Sequence, residues 1–82
     1  MKLEKAAQVV KQTAYEAALH AIGNDLGFQE SLSFIQREAE RKASAVKFPH
    51  KNLDRENIVL EAFFAAEDTW SSWQMVSSAV GV

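Results

Sequence analysis

Residues 54–79 read DRENIVLEAFFAAEDTWSSWQMVSSA, a run with neither glycine nor proline. Nothing in it breaks a helix, and at 1.5 Å per residue it makes one roughly 37 Å long. Asp54 is placed to cap the start, and Glu56 suits the positive end of the helix dipole. At about 100° per residue, Ile58, Val59, Ala62, Phe63, Ala66, Thr69, Trp70, Trp73, Val76 and Val80 fall within about 140° of arc, a broad core face. Leu60, Phe64 and Met75 point elsewhere, on a narrower stripe shared with Ser71. Folding therefore accounts for Phe63 and both tryptophans, but not for Phe64. A break at Asp68-Thr69 is the alternative to one continuous helix, because both residue types can cap a new turn.

Upstream, two shorter helices fit the pattern. From about Lys2 to Ile22, one face collects Leu3, Ala6, Ala7, Val10, Ala14, Ala17 and Ala21, and a second stripe collects Tyr15, Leu19, Ile22 and Leu26. The small residues permit close approach by a neighbouring helix. Gly23-Asn24-Asp25 is a stop, with Gly23 expected in the left-handed position after the last turn. A second helix starts near Gly27 or Phe28 and ends near Val46, before Phe48-Pro49. Phe28, Leu32, Ile35, Ala39, Ala43 and Val46 form its expected core face. The short link makes the first two helices an antiparallel hairpin. The fold class is all-α: a three-helix bundle, or a helical hairpin plus a long C-terminal helix, forming the single domain 1–82.

Eighty-two residues bury only about 60% of the surface their unfolded chain exposes, which makes a marginal core. Apolar residues are 48% of the chain, but thirteen of them are alanine, each burying little area. There is no cysteine, so disulfides and thiolate metal sites are excluded, and self-association is the expected reinforcement. The first twenty residues interleave charges with apolar positions, and Glu61, Glu67 and Asp68 interrupt the last apolar stretch. Neither a signal h-region nor a membrane span results, and the expected location is the cytoplasm.

Charge is unevenly spread. Residues 1–36 carry −1, residues 37–55 carry +3, and residues 56–82 carry four acids and no base. On the outer face of the second helix, Phe34, Arg37 and Arg41 align with Glu30 and Ala45, followed by Lys47, Phe48, His50, Lys51 and Arg55. Basic residues interleaved with aromatics can hold phosphates and stack bases. Phe34, Arg37, Arg41, Lys47 and Lys51 are therefore the candidate partner-binding residues. The competing reading is a solvated face with Glu38–Lys42 pairing and Phe34 packed on another helix.

Catalytic patterns are weak. Glu16 and His20 stand one turn apart and supply two metal ligands, too few for a closed zinc site. Glu67 and Asp68 are adjacent on a helix and point about 100° apart, so they form no carboxylate dyad. Three scattered glycines make no phosphate loop. The expectation is a non-catalytic protein without cofactor or metal.

One resemblance is visible. "EDTWSSWQMVSSA" (67–79), following "LEAFFAAE" (60–67), resembles the Trp-x-x-Trp-Gln helical endings of short bacteriophage and prophage accessory proteins, with Thr69 and Ser72 in place of the usual alanines. The likeness covers about twenty residues. It implies a mobile-element origin and a protein that binds and inhibits or regulates a host protein, as anti-defence factors do. It carries over no catalytic residue. The alternative is a small nucleic-acid-binding regulator using the basic 37–55 region. Leu60, Phe64, Ser71 and Met75 are the expected homodimer interface.

Overall fold

The computed structural model describes residues 3–46 and 52–80, and these form three α-helices: α1 (Leu3–Gly23), α2 (Phe28–Ala45) and α3 (Asn52–Val80). The chain is an all-α three-helix bundle, elongated to 49 × 18 × 17 Å, with α1 packed along both of the other helices. Lys47, Lys51, His50 and the expected Phe48-Pro49 stop lie outside the described residues. Ahead of that stop, α2 already ends at Ala45, and Val46 is extended. No described helix is long and apolar enough to cross a membrane.

Alanine sets the spacing of the bundle. Of the thirteen apolar residues buried among those described, nine are alanines: Ala6, Ala14, Ala17, Ala18, Ala21, Ala39, Ala43, Ala62 and Ala66. Val10, Ile35, Ile58 and Trp70 are the larger side chains that fill the seams between them. Ala18, which the expected face did not include, is fully buried.

The α1–α2 turn departs from expectation at one residue. Gly23 is the last residue of α1, and it is Asp25 that takes the left-handed conformation, with φ 53°. The Leu26 N–H donates to the Ala21 carbonyl at 3.0 Å and the Asp25 N–H to the Ile22 carbonyl at 3.2 Å, the paired bonds of a Schellman cap. The register has a physical reason. With Asp25 at the left-handed position the next residue is Leu26, which packs on the core; with Gly23 there it would be the polar Asn24. Asn24 contributes differently, its backbone and side-chain nitrogens both donating to the His20 carbonyl at 3.0 and 2.8 Å.

The core face of α2 is Ser31, Ile35, Ala39 and Ala43, so the expected face is rotated at its start. Ser31 is fully buried in place of Leu32, because its hydroxyl donates to the Leu26 carbonyl at 3.2 Å across the turn. Phe28, expected in the core, is 55% exposed, with its ring 5.6 Å from that of Trp70 in an edge contact.

Helix α3 is continuous. It is already helical at Asn52, so Asp54 sits in the first turn rather than capping it. There is no break at Asp68-Thr69: the Thr69 hydroxyl donates back to the Ala65 carbonyl at 3.2 Å, inside the helix. Ile58, Ala62, Ala66 and Trp70 are buried, and Val59 and Phe63 are partly buried against them. Trp73 is not core, contrary to expectation. Helix α2 begins at Phe28, beside Trp70, so one turn further along α3 the side that α2 would cover is open. The side chain of Val80 is not among those described.

Two outcomes test these contacts. Asp25→Gly should raise stability by about 0.5–1 kcal/mol, since relief of left-handed strain exceeds the added unfolded-state entropy of glycine. The urea midpoint should rise with unchanged slope, and a lowered midpoint would show that the Asp25 side chain stabilises the turn. The Trp70 indole N–H is buried without a hydrogen-bond partner among the described residues, an orphan costing about 1–3 kcal/mol. Trp70→Ala should therefore lose about 3–5 kcal/mol and Trp70→Phe less than about 1.5, the lost donor offsetting the smaller ring. Equal losses in the two variants would remove the orphan from the account.

Candidate functional site

Three surfaces carry the residues singled out by the sequence. The first is the back of α3. Leu60, Phe64 and Met75 are 51%, 54% and 74% exposed, and Ser71 is partly covered. Their placement follows from helical geometry: they stand on the side of α3 turned away from Ile58, Ala62, Ala66 and Trp70. The Phe64 ring rests 5.8 Å from that of Phe63, which is tucked toward α2, so the exposed ring is held by its neighbour. Glu61 and Asp68 flank this stripe on one side and Glu67 on the other, with no base on α3 beyond Arg55.

The second surface is the outer face of α2, and the structure divides it. Phe34 is partly buried against the core and stacked on His20 of α1, ring centroids 4.9 Å apart at 29°. It therefore belongs to the α1–α2 seam. Arg37 is exposed. Arg41 is exposed but engaged: its Nη2 and Nε donate to the two carboxylate oxygens of Glu38 at 2.8 and 3.2 Å. The partner of Glu38 is thus Arg41 rather than the expected Lys42. The forked hydrogen bond from Arg41 holds the Glu38 carboxyl below its ordinary value, and partial burial opposes that shift. Lys47 and Lys51 lie outside the described residues, so Arg37 and Arg41 are the members of the basic set the structure places together.

The third surface escaped the sequence. Along the seam between α1 and α3, Tyr15, Leu19, Ile22, Asp68, Trp73 and Val76 line an open groove of about 610 Å³. Tyr15 and Leu19 are each 45% exposed, Trp73 50% and Val76 55%. The periodicity of α1 did set Tyr15, Leu19 and Ile22 on one stripe. That stripe was the available signal, but only the lengths of the helices show that it ends beside an uncovered tryptophan.

For chemistry, Glu16 accepts a hydrogen bond from Gln12 at 3.1 Å, while His20 is stacked on Phe34. Among the described residues no three His, Asp or Glu side chains gather as metal ligands. Comparison with known proteins finds no matching family model, no matching curated protein and no matching solved structure. Function has to be read from the geometry of this chain.

The Glu38–Arg41 pair gives a pH test. A carboxyl whose folded pKa is lowered adds stability above its unfolded pKa, and that stability is lost as pH falls through the lowered value. By NMR titration Glu38 should protonate at lower pH than an unpaired glutamate, and Arg41→Gln should move it upward. An unmoved Glu38 would mean that the fork does not persist in solution.

Proposed function

We propose that this protein is a non-catalytic interaction protein that binds a host protein through the back of α3 and inhibits or regulates it, in the manner of a phage accessory or anti-defence factor. The observation that carries this reading is the exposed set Leu60, Phe64 and Met75, on a helix whose opposite side already fills the core. Aligned exposed apolar side chains mark an interaction face more often than scattered ones do. Leaving each in water forgoes about 1.5–3 kcal/mol relative to full burial. The likeness of residues 60–79 to phage accessory helices supports a host protein as the partner.

Charge narrows the partner. Two copies of α3 pairing through this stripe would bring Glu61, Glu67 and Asp68 against their own kind, and like charges across an interface are repulsive. A partner helix or groove with apolar anchors and a Lys/Arg rim meets the same face favourably. The alternative, a nucleic-acid regulator working through Arg37, Arg41, Lys47 and Lys51, has weaker support, because Arg41 is engaged by Glu38 and acidic α3 belongs to the same small molecule.

The test compares wild type with a Leu60→Asp/Phe64→Asp variant as bait in a bacterial host lysate. Wild type should retain a partner that the variant loses, and salt should weaken the complex. Because each side chain is about half buried, the double variant should lose about 2 kcal/mol, and circular dichroism should show that it remains helical at the temperature of the binding assay. Partners retained equally by both baits would refute the assignment to α3. Binding of wild type to DNA or RNA that falls steeply with salt would favour the alternative instead.

A further inference from the structure

We propose that the groove between the second half of α2 and the first half of α3 seats two turns of a basic amphipathic helix of the host protein. Apolar side chains of that helix rest on the groove floor, and its Lys or Arg side chains meet Glu40 and Glu56. This inference rests on the reading of α3 as the host-facing surface, and it adds α2 to that surface.

Helix spacing makes the groove. Val59 and Phe63 are partly buried and form its floor, and half-exposed Leu60 forms its outer lip. Across from them Gln36, Glu40 and Ser44 stand four residues apart on α2, all exposed, in one line along that helix. The space between the two sets is an open groove of about 610 Å³. Helical rise makes the span from Gln36 to Ser44 about 12 Å and from Glu56 to Phe63 about 10 Å, which is two turns. A floor of that length accepts the i, i+3 or i+4, and i+7 side chains of one helix. Leu60 both lines the groove and belongs to the stripe with Phe64, so one partner can cover the two.

Charge selects the occupant. Glu40 on α2 and Glu56 on α3 are both exposed on the groove walls, and Glu61 and Glu67 follow along α3. Gln36 Nε2 donates to Glu40 Oε1 at 3.3 Å, which steadies that carboxylate on the α2 wall. Among the described lining residues the base is Arg55, which is partly buried. Helix α2 places its other bases elsewhere: Arg41 and Lys42 line the α1 seam with Glu38, and Arg37 stands beside Glu30. A nucleic-acid phosphate, or the acidic α3 of a second copy, therefore meets like charge at this groove. A helix rimmed with Lys and Arg meets opposite charge.

NMR titration of the isotope-labelled protein with a synthetic amphipathic Leu/Lys peptide of about fifteen residues tests the seat. The largest amide shifts should fall on Glu40, Ser44, Leu60 and Phe63, with Tyr15 and Trp73 unmoved. The same peptide with Glu in place of Lys should not bind. Glu40→Lys/Glu56→Lys should weaken binding by about tenfold or more, while Glu16→Lys/Glu30→Lys, an equal change of net charge on other faces, should alter it by less than about threefold. All four residues are exposed, so both variants should keep the helical content of wild type. Absence of binding, shifts centred on another face, equal weakening by the two variants or binding of the Glu peptide would overturn the proposal. In a host lysate, the partner should be lost by Glu40→Lys/Glu56→Lys as well as by Leu60→Asp/Phe64→Asp. A partner lost by the second variant and kept by the first would overturn the groove and leave the α3 stripe as the binding face. A partner kept by both would remove the two readings together.

Discussion

Methyl groups meet along the centre of this bundle. Val10, Ala14, Ala17 and Ala21 of α1, Ile35, Ala39 and Ala43 of α2, and Ile58, Ala62 and Ala66 of α3 form one buried cluster, largely of side chains too short to keep the backbones apart. Close approach follows, and so does a thin core. At about 25 cal/mol per Å² of buried apolar area, an alanine contributes far less than a leucine. The few large buried side chains therefore matter disproportionately, and Trp70 is the largest of them. It closes the end of the core beneath the α1–α2 turn, in contact with Phe28.

That turn determines what the rest of the molecule can cover. Its Schellman cap at Asp25 returns Leu26 to the core, and Ser31 ties the start of α2 to the Leu26 carbonyl. Once α2 begins beside Trp70, Trp73 and Val76 further along α3 lack one of their two neighbours. A small domain with an alanine core and an overhanging helix is short of buried area in the same place where it exposes tryptophan. Stability and interaction thus become a single problem, because covering Trp73 and Val76 would extend the core that Trp70 ends.

The two sides of α3 differ in electrostatics as well as in cover. Near Leu60 and Phe64, acidic residues rim the apolar side chains, which suits a basic partner and opposes self-pairing. From Thr69 to Val82 no side chain is charged, and the exposed surface at Trp73 and Val76 is apolar. The basic face of α2 is more ordinary than its sequence suggests. Phe34 serves the α1–α2 seam, and Arg41 is occupied by a carboxylate one turn away, as on many solvated helices.

The three helices, their approximate ends and the outward stripe of Leu60, Phe64 and Met75 were legible in the sequence, which left the continuity of α3 at Asp68-Thr69 open. Each depends on local propensity or on helical periodicity, and those act within one element. The sequence misplaced Trp73 and Phe28 for a common reason, while Ser31 and the left-handed Asp25 follow from hydrogen bonds of the α1–α2 turn. Periodicity says which way a side chain points, not whether another helix extends far enough to meet it. Trp70 and Trp73 share one arc of α3, yet one is buried and the other half exposed, a difference of a single turn relative to the start of α2. The Tyr15–Leu19–Trp73–Val76 groove likewise joins residues more than fifty positions apart. Where each helix stops beside its neighbour is decided by packing, and only the tertiary structure records it.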